Sequence, residues 1–189
     1  MHLLSACCQQ HALVLGQQAV SDATGELGAI RSFLASPPLA GARVPFDVEF
    51  TQWLVAKQVV DRGGAYLMVV NASQPSLFRA CVESTAEYPK RPRRPLGQAH
   101  THQLAHGRLE QRSLLAVAAP PDLGFRMRTR CCVCNDGFVR KRTGEVVTDE
   151  TAVTSLTAEH ATQRPVTSAV AAPLVDGKPV TLATPRGLA

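Results

Sequence analysis

Aromatic side chains are scarce in this sequence: six Phe, two Tyr and one Trp among 189 residues. Rings bury more area than other side chains, so a core with so few of them must rest on Ala, Val and Leu. Long apolar runs are also missing. None approaches the roughly 20 residues that a membrane-crossing helix requires, so no segment reads as a transmembrane span. The start, MHLLSACCQQ, has neither the basic lead nor the apolar stretch of a secretory signal, and the expected compartment is the cytoplasm.

Catalytic signatures are absent as well. There is no nucleophile elbow, no His-Glu-x-x-His, no phosphate-cradling glycine loop and no paired-carboxylate segment in a recognisable frame, so the sequence leans away from an enzyme. The six cysteines include the adjacent pairs Cys7-Cys8 and Cys131-Cys132, which suit no regular disulfide framework. Reduced thiols are the expectation.

Acidic residues are thin in one region only. Residues 88–142 hold twelve Lys and Arg against Glu110, Asp122 and Asp136, a balance of +9 within a chain whose formal net charge is +5. The positive field is therefore regional, and such a field favours an anionic partner without reading its sequence.

What is present points to a small single α+β domain over 1–189, with an antiparallel, hairpin-based sheet, a few short helices and flexible ends. The sheet is expected from 44–70, 112–148 and 166–184. Ser21 or Asp22 caps an expected helix whose apolar positions Leu27, Ile30, Phe33 and Leu34 have helical spacing, ended by Pro37-Pro38. In VPFDVEFTQWLVAKQVV, Phe46, Val48 and Phe50 alternate with polar residues, as in a strand. DRGG then supplies a turn, and AYLMVV reads as a second, more buried strand, which makes a β-hairpin. A helix follows over 76–87, with Pro75 in its first turn and Leu77, Phe78, Cys81 and Val82 on one face.

Prolines interrupt Lys90, Arg91, Arg93 and Arg94, so 89–97 reads as an exposed, extended basic linker. The same KRPRR letters fit a nuclear-import signal, which makes a nuclear location the alternative for a eukaryotic chain. Segment 98–118 starts as a His- and Gln-rich helix and ends as the strand SLLAVAA. Further on, Asn135-Asp136-Gly137 is a hairpin-turn sequence. In the register it implies, Cys134 faces Phe138, Cys132 faces Arg140 and Arg130 faces Arg142. Arg128, Arg130, Arg140 and Arg142 then share one face, and like charges directly opposite one another are destabilising unless solvated or countered. A helix is expected near 155–163, Asp176-Gly177 signals a last hairpin, and the tail 185–189 is frayed.

Guanidinium groups bind phosphate bidentately, so the arginine face together with the linker reads as a polyanion site, most plausibly for nucleic acid, in a non-catalytic binding module. The bland counterpart is a solvated basic face that discourages edge-to-edge pairing. A second candidate is a thiol- or zinc-dependent centre at Cys132 and Cys134, with His102 and His106 four apart on a helix as further ligands. No other cofactor is indicated. Few aromatics and locally discordant signals also fit an unselected open reading frame from GC-rich DNA.

Overall fold

A computed structural model of the chain describes residues 2–8, 13–20, 25–87, 97–105, 108–121, 123, 125, 130–140, 144–156 and 179–182; in 2–3, 8, 97–114, 130–150 and 179–182 that description is of the backbone. The architecture is α+β, with an antiparallel sheet and three short helices. Two compact units divide it, one of 1–69 with 171–189 and one of 70–170.

In the first unit, β1 (His2–Cys8) pairs antiparallel with β2 (Leu13–Val20) and parallel with β9 (Pro179–Leu182), in the order β2-β1-β9. The sheet segments expected from the sequence, 44–70, 112–148 and 166–184, did not include β1 and β2. Helix α1 (Gly25–Phe33) follows. Its buried Ala29, Ile30 and Phe33, with Leu34 just beyond, have the spacing of one helix face, while Leu27 lies outside that face and is exposed. Gln18 Nε2 donates to Ser32 Oγ at 2.9 Å and so ties β2 to α1.

The segment expected as a hairpin is a β-α-β unit instead. β3 (Arg43–Phe46) and β4 (Ala65–Val70) are parallel, with Arg43 opposite Ala65 and Phe46 opposite Met68. Parallel neighbours need a crossover, and α2 (Trp53–Asp61) supplies it. The strand stops at Phe46, although the alternation in the sequence runs on to Phe50. Asp47 Oδ1 then accepts from the Val48 N–H at 2.6 Å and caps a single 3-10 turn, Val48–Phe50. Beyond it, Val55, Ala56 and Val59 are buried while Leu54 and Lys57 are exposed, a helical spacing that a two-residue period misses.

The DRGG turn ends α2. Gly63 has φ +77°, a left-handed conformation natural to glycine, and the Gly63 and Gly64 N–H groups donate to Val60 and Val59 carbonyls. Gly64 also has no room for a side chain, since an added Cβ would lie 2.9 Å from the Leu39 carbonyl oxygen. The Arg62 guanidinium donates to the Leu34 carbonyl just past α1. β4 is the buried strand that AYLMVV implies, with Tyr66, Leu67, Met68 and Val70 inaccessible. Thr51 Oγ1 donates to the Val69 carbonyl at 2.6 Å and fastens the turn to β4.

The second unit opens with α3 (Pro75–Ala86), which has Pro75 in its first turn as expected. Its inaccessible positions are Cys81 and Thr85, whereas Val82 is exposed, so the buried face is rotated from the one expected. α3 packs against an antiparallel meander of β5 (Gly97–Ala105), β6 (Arg108–Ala118), β7 (Arg130–Arg140) and β8 (Gly144–Thr154). β5 replaces the helix expected at the start of 98–118. Its Gln, Ala, His and Thr residues have weak preferences of their own, and nine paired positions with β6 decide the outcome. Ser155 and Leu156 are not helical. The rest of the helix expected near 155–163 lies outside the described residues, as do the Asp176-Gly177 turn and the tail.

Candidate nucleic-acid interface

The basic residues fall in two groups. Lys90, Arg91, Arg93 and Arg94, together with Arg128 and Arg142, lie outside the described residues. Arg130 and Arg140 are the first and last residues of β7, whose ladders define their positions.

Those ladders overturn the hairpin at Asn135-Asp136-Gly137. The strand runs straight through it, with Asn135, Asp136 and Gly137 opposite Ser113, Arg112 and Gln111 on β6 and opposite Asp149, Thr148 and Val147 on β8. The reversal occurs after Arg140, which is opposite Gly144. An Asn-Asp-Gly turn is a local preference of modest size, and pairing on both sides of an eleven-residue strand outweighs it. Arg130 therefore does not face Arg142, nor Cys132 Arg140. Arg130 lies opposite Ala118 and Thr154 instead.

The consequence for an anion is geometric. Arg130 and Arg140 are an even number of residues apart and so share a face of β7. At roughly 3.3 Å per residue they are about 33 Å apart. Arg130 and Arg140 are thus at opposite ends of one strand rather than close together across a hairpin. The span is close to one turn of B-form DNA, about 34 Å. The register also sets Arg112 opposite Asp136.

The proposed metal ligands are not gathered by this register. His102 sits on strand β5, not on a helix, and is opposite Gln111, itself opposite Gly137. Cys132 and Cys134 have the other parity on β7 and so lie on the opposite face of the sheet from His102. Cys134 is three residues along and two strands across from His102, about 14 Å between backbone positions. His106 is outside the described residues. Among the described residues no group of three or more His, Cys, Asp or Glu is placed to hold a metal. Cys132 lies in register between Ala116 and Ala152.

In the first unit, Arg31, Lys57 and Arg62 line an open cleft of about 480 Å³ between α1 and α2. Lys57 is paired with Asp61, and Arg62 caps the Leu34 carbonyl, so two of these cations already serve the fold. Asp47 stands one residue beyond β3, where its side chain caps the 3-10 turn.

No family model matches the chain. It is similar to a protein of Xanthobacter autotrophicus described as "Uncharacterized protein in dhlA 3'region", with 31% identity over 117 residues, 60% of this chain and 38% of that protein. Two proteins of Escherichia coli K12, the "H repeat-associated putative transposase" YbfD and its namesake YhhI, are each 28% identical over 125 residues. That alignment covers 65% of this chain, 48% of YbfD and 32% of YhhI. The chain thus spans between about a third and a half of the length of the curated relatives it matches. No solved structure matches. Among the described residues no helix is long and apolar enough to cross a membrane.

Proposed function

We propose that this chain is a DNA-contacting part of a transposase-like protein, and that its basic segments, 90–94 and 126–142, supply the phosphate contacts. The observation that carries the reading is the similarity, over about two thirds of the chain, to two proteins named as putative transposases. Such proteins act on DNA, and the concentration of +9 in residues 88–142 is the electrostatic counterpart of a polyphosphate backbone. Relatedness to curated proteins also favours a selected sequence over a chance reading frame.

Lys90, Arg91, Arg93 and Arg94 act as a basic arm, and Arg128, Arg130, Arg140 and Arg142 contact phosphates along the length of β7 and its flanks. Contacts of this kind set affinity and position, and they carry no base readout. The test is fluorescence anisotropy of a labelled DNA duplex titrated with the chain. Binding at 50 mM salt that weakens by about a thousandfold at 200 mM is expected for six or more phosphate contacts. Absence of binding at the lower salt contradicts the reading.

A further inference from the structure

The ladders of the meander bring two arginines into one row. Leu109 of β6 is opposite Val139 of β7, so one step outward Arg108, the first residue of β6, meets Arg140, the last residue of β7. Opposed positions of antiparallel strands have Cα atoms about 5 Å apart. In the same row Arg108 is opposite Ala105 of β5, and Arg140 is opposite Gly144 of β8. Two arginines thus stand side by side between the two smallest residue types, with no carboxylate in the row. Like charges directly opposite one another are destabilising. The next row inward on the same face is Gln103, Glu110, Phe138 and Val146, and the one after it is Thr101, Arg112, Asp136 and Thr148. The second of these adds one cation and one acid, so Arg108 and Arg140 remain against Glu110 alone, a balance that still favours an anion.

We propose that the juxtaposition of Arg108 and Arg140 in one row at the end of the meander is a clamp for a single phosphate of the DNA backbone. It adds Arg108, which lies outside the segments 90–94 and 126–142, to the contacting residues. The clamp rests on the DNA-contacting reading above and deepens it. A guanidinium group donates to phosphate oxygens through a planar fork, and two forks one strand spacing apart suit one phosphate, which has oxygens enough for both. The phosphate also offsets the repulsion between the two cations. Because Glu110 shares the face, loss of either arginine leaves one cation against one acid, and the excess charge that attracts the phosphate is gone. The two residues therefore act as a unit.

The test compares the native chain with Arg108→Ala, Arg140→Ala and the double variant, by anisotropy of a labelled duplex over a range of salt. Each single variant is expected to lower the slope of log affinity against log salt by about 0.9, the share of one phosphate. The double variant lowers it by the same amount, where two separate contacts would remove about 1.8. Chemical denaturation without DNA supplies a second readout. Inorganic phosphate raises the midpoint of the native chain more than that of either single variant, as a ligand of the folded state does. Without phosphate each single variant unfolds at no lower denaturant concentration than the native chain, because a like-charge pair has been removed, and this shows that it is folded. Steep duplex binding by the native chain with an unchanged slope for Arg108→Ala overturns the clamp and leaves the DNA reading standing. Additive losses in the double variant, or an equal phosphate response in all chains, overturn it as well. A native chain that binds no duplex overturns the DNA reading and the clamp together.

Discussion

Replacement of Phe50 by alanine is expected to lower the stability of the first unit by about 3–5 kcal/mol, the usual cost of truncating a fully enclosed ring. Phe50 is 1% exposed and closes the 3-10 turn between β3 and α2. Its ring meets Phe46 edge-on, with centroids 6.4 Å apart and planes at 60°. With nine aromatics in the whole chain, few large side chains remain to fill the space it leaves. A loss of that size is a large share of the ~5–15 kcal/mol that holds an ordinary domain together. Leu54→Ala is the control. Leu54 is a similarly apolar residue four positions on, but it is exposed on the outer side of α2, and its truncation is expected to stay within about 0.5 kcal/mol. Chemical denaturation of the two variants checks the pair. Equal losses would contradict the helical crossover, because they would mean that Leu54 is as buried as Phe50.

The second large effect concerns binding. Substitution of Lys90, Arg91, Arg93, Arg94, Arg128, Arg130, Arg140 and Arg142 together by alanine removes eight positive charges and turns the formal net charge from +5 to −3. Every phosphate that no longer meets a cation reduces the slope of log affinity against log salt by about 0.9. The combined variant is therefore expected to bind duplex at least about a thousandfold more weakly at low salt, with a nearly flat salt dependence. Because these residues contact backbone phosphates, the weakening is uniform across DNA sequences. The pair Arg130→Ala with Arg140→Ala separates the strand from the arm. If the two ends of β7 contact the duplex, this pair alone lowers the slope by nearly 2, while a slope unchanged by it assigns the binding to the arm. Lys57→Ala is a useful comparison, since Lys57 is paired with Asp61 outside the basic segments and its substitution is expected to leave binding intact.

Much of the α+β architecture was legible from local pattern. AYLMVV reads as a buried strand because apolar residues fill both of its faces, and Pro75 announces α3 because its ring fits a first turn. The errors share a cause. Segment 48–61 holds one short alternation followed by helical spacing, and the alternation masked the helix. β5 and the Asn135-Asp136-Gly137 stretch of β7 have little intrinsic preference for extended backbone, and it is the ladders to β6 and β8 that hold them there. Pairing partners distant in sequence leave no mark on a local pattern. The same limit applies to the site. Regional charge was visible directly, because charge does not depend on register. The clustering of Arg128, Arg130, Arg140 and Arg142 depended on one turn, and that turn proved to be strand, with Arg130 and Arg140 at its two ends about 33 Å apart. The proposed His102, His106, Cys132 and Cys134 centre needed a helix where the chain forms β5.

The most direct test of the basic segments as the DNA-contacting surface is hydrogen exchange of the whole chain, with and without a saturating duplex at low salt. Slowed exchange confined to residues 88–94, 108 and 126–142 is the expected result, with α1, α2 and β4 unchanged. Protection centred on the first unit, with those basic segments exchanging as fast as in the free chain, would contradict it.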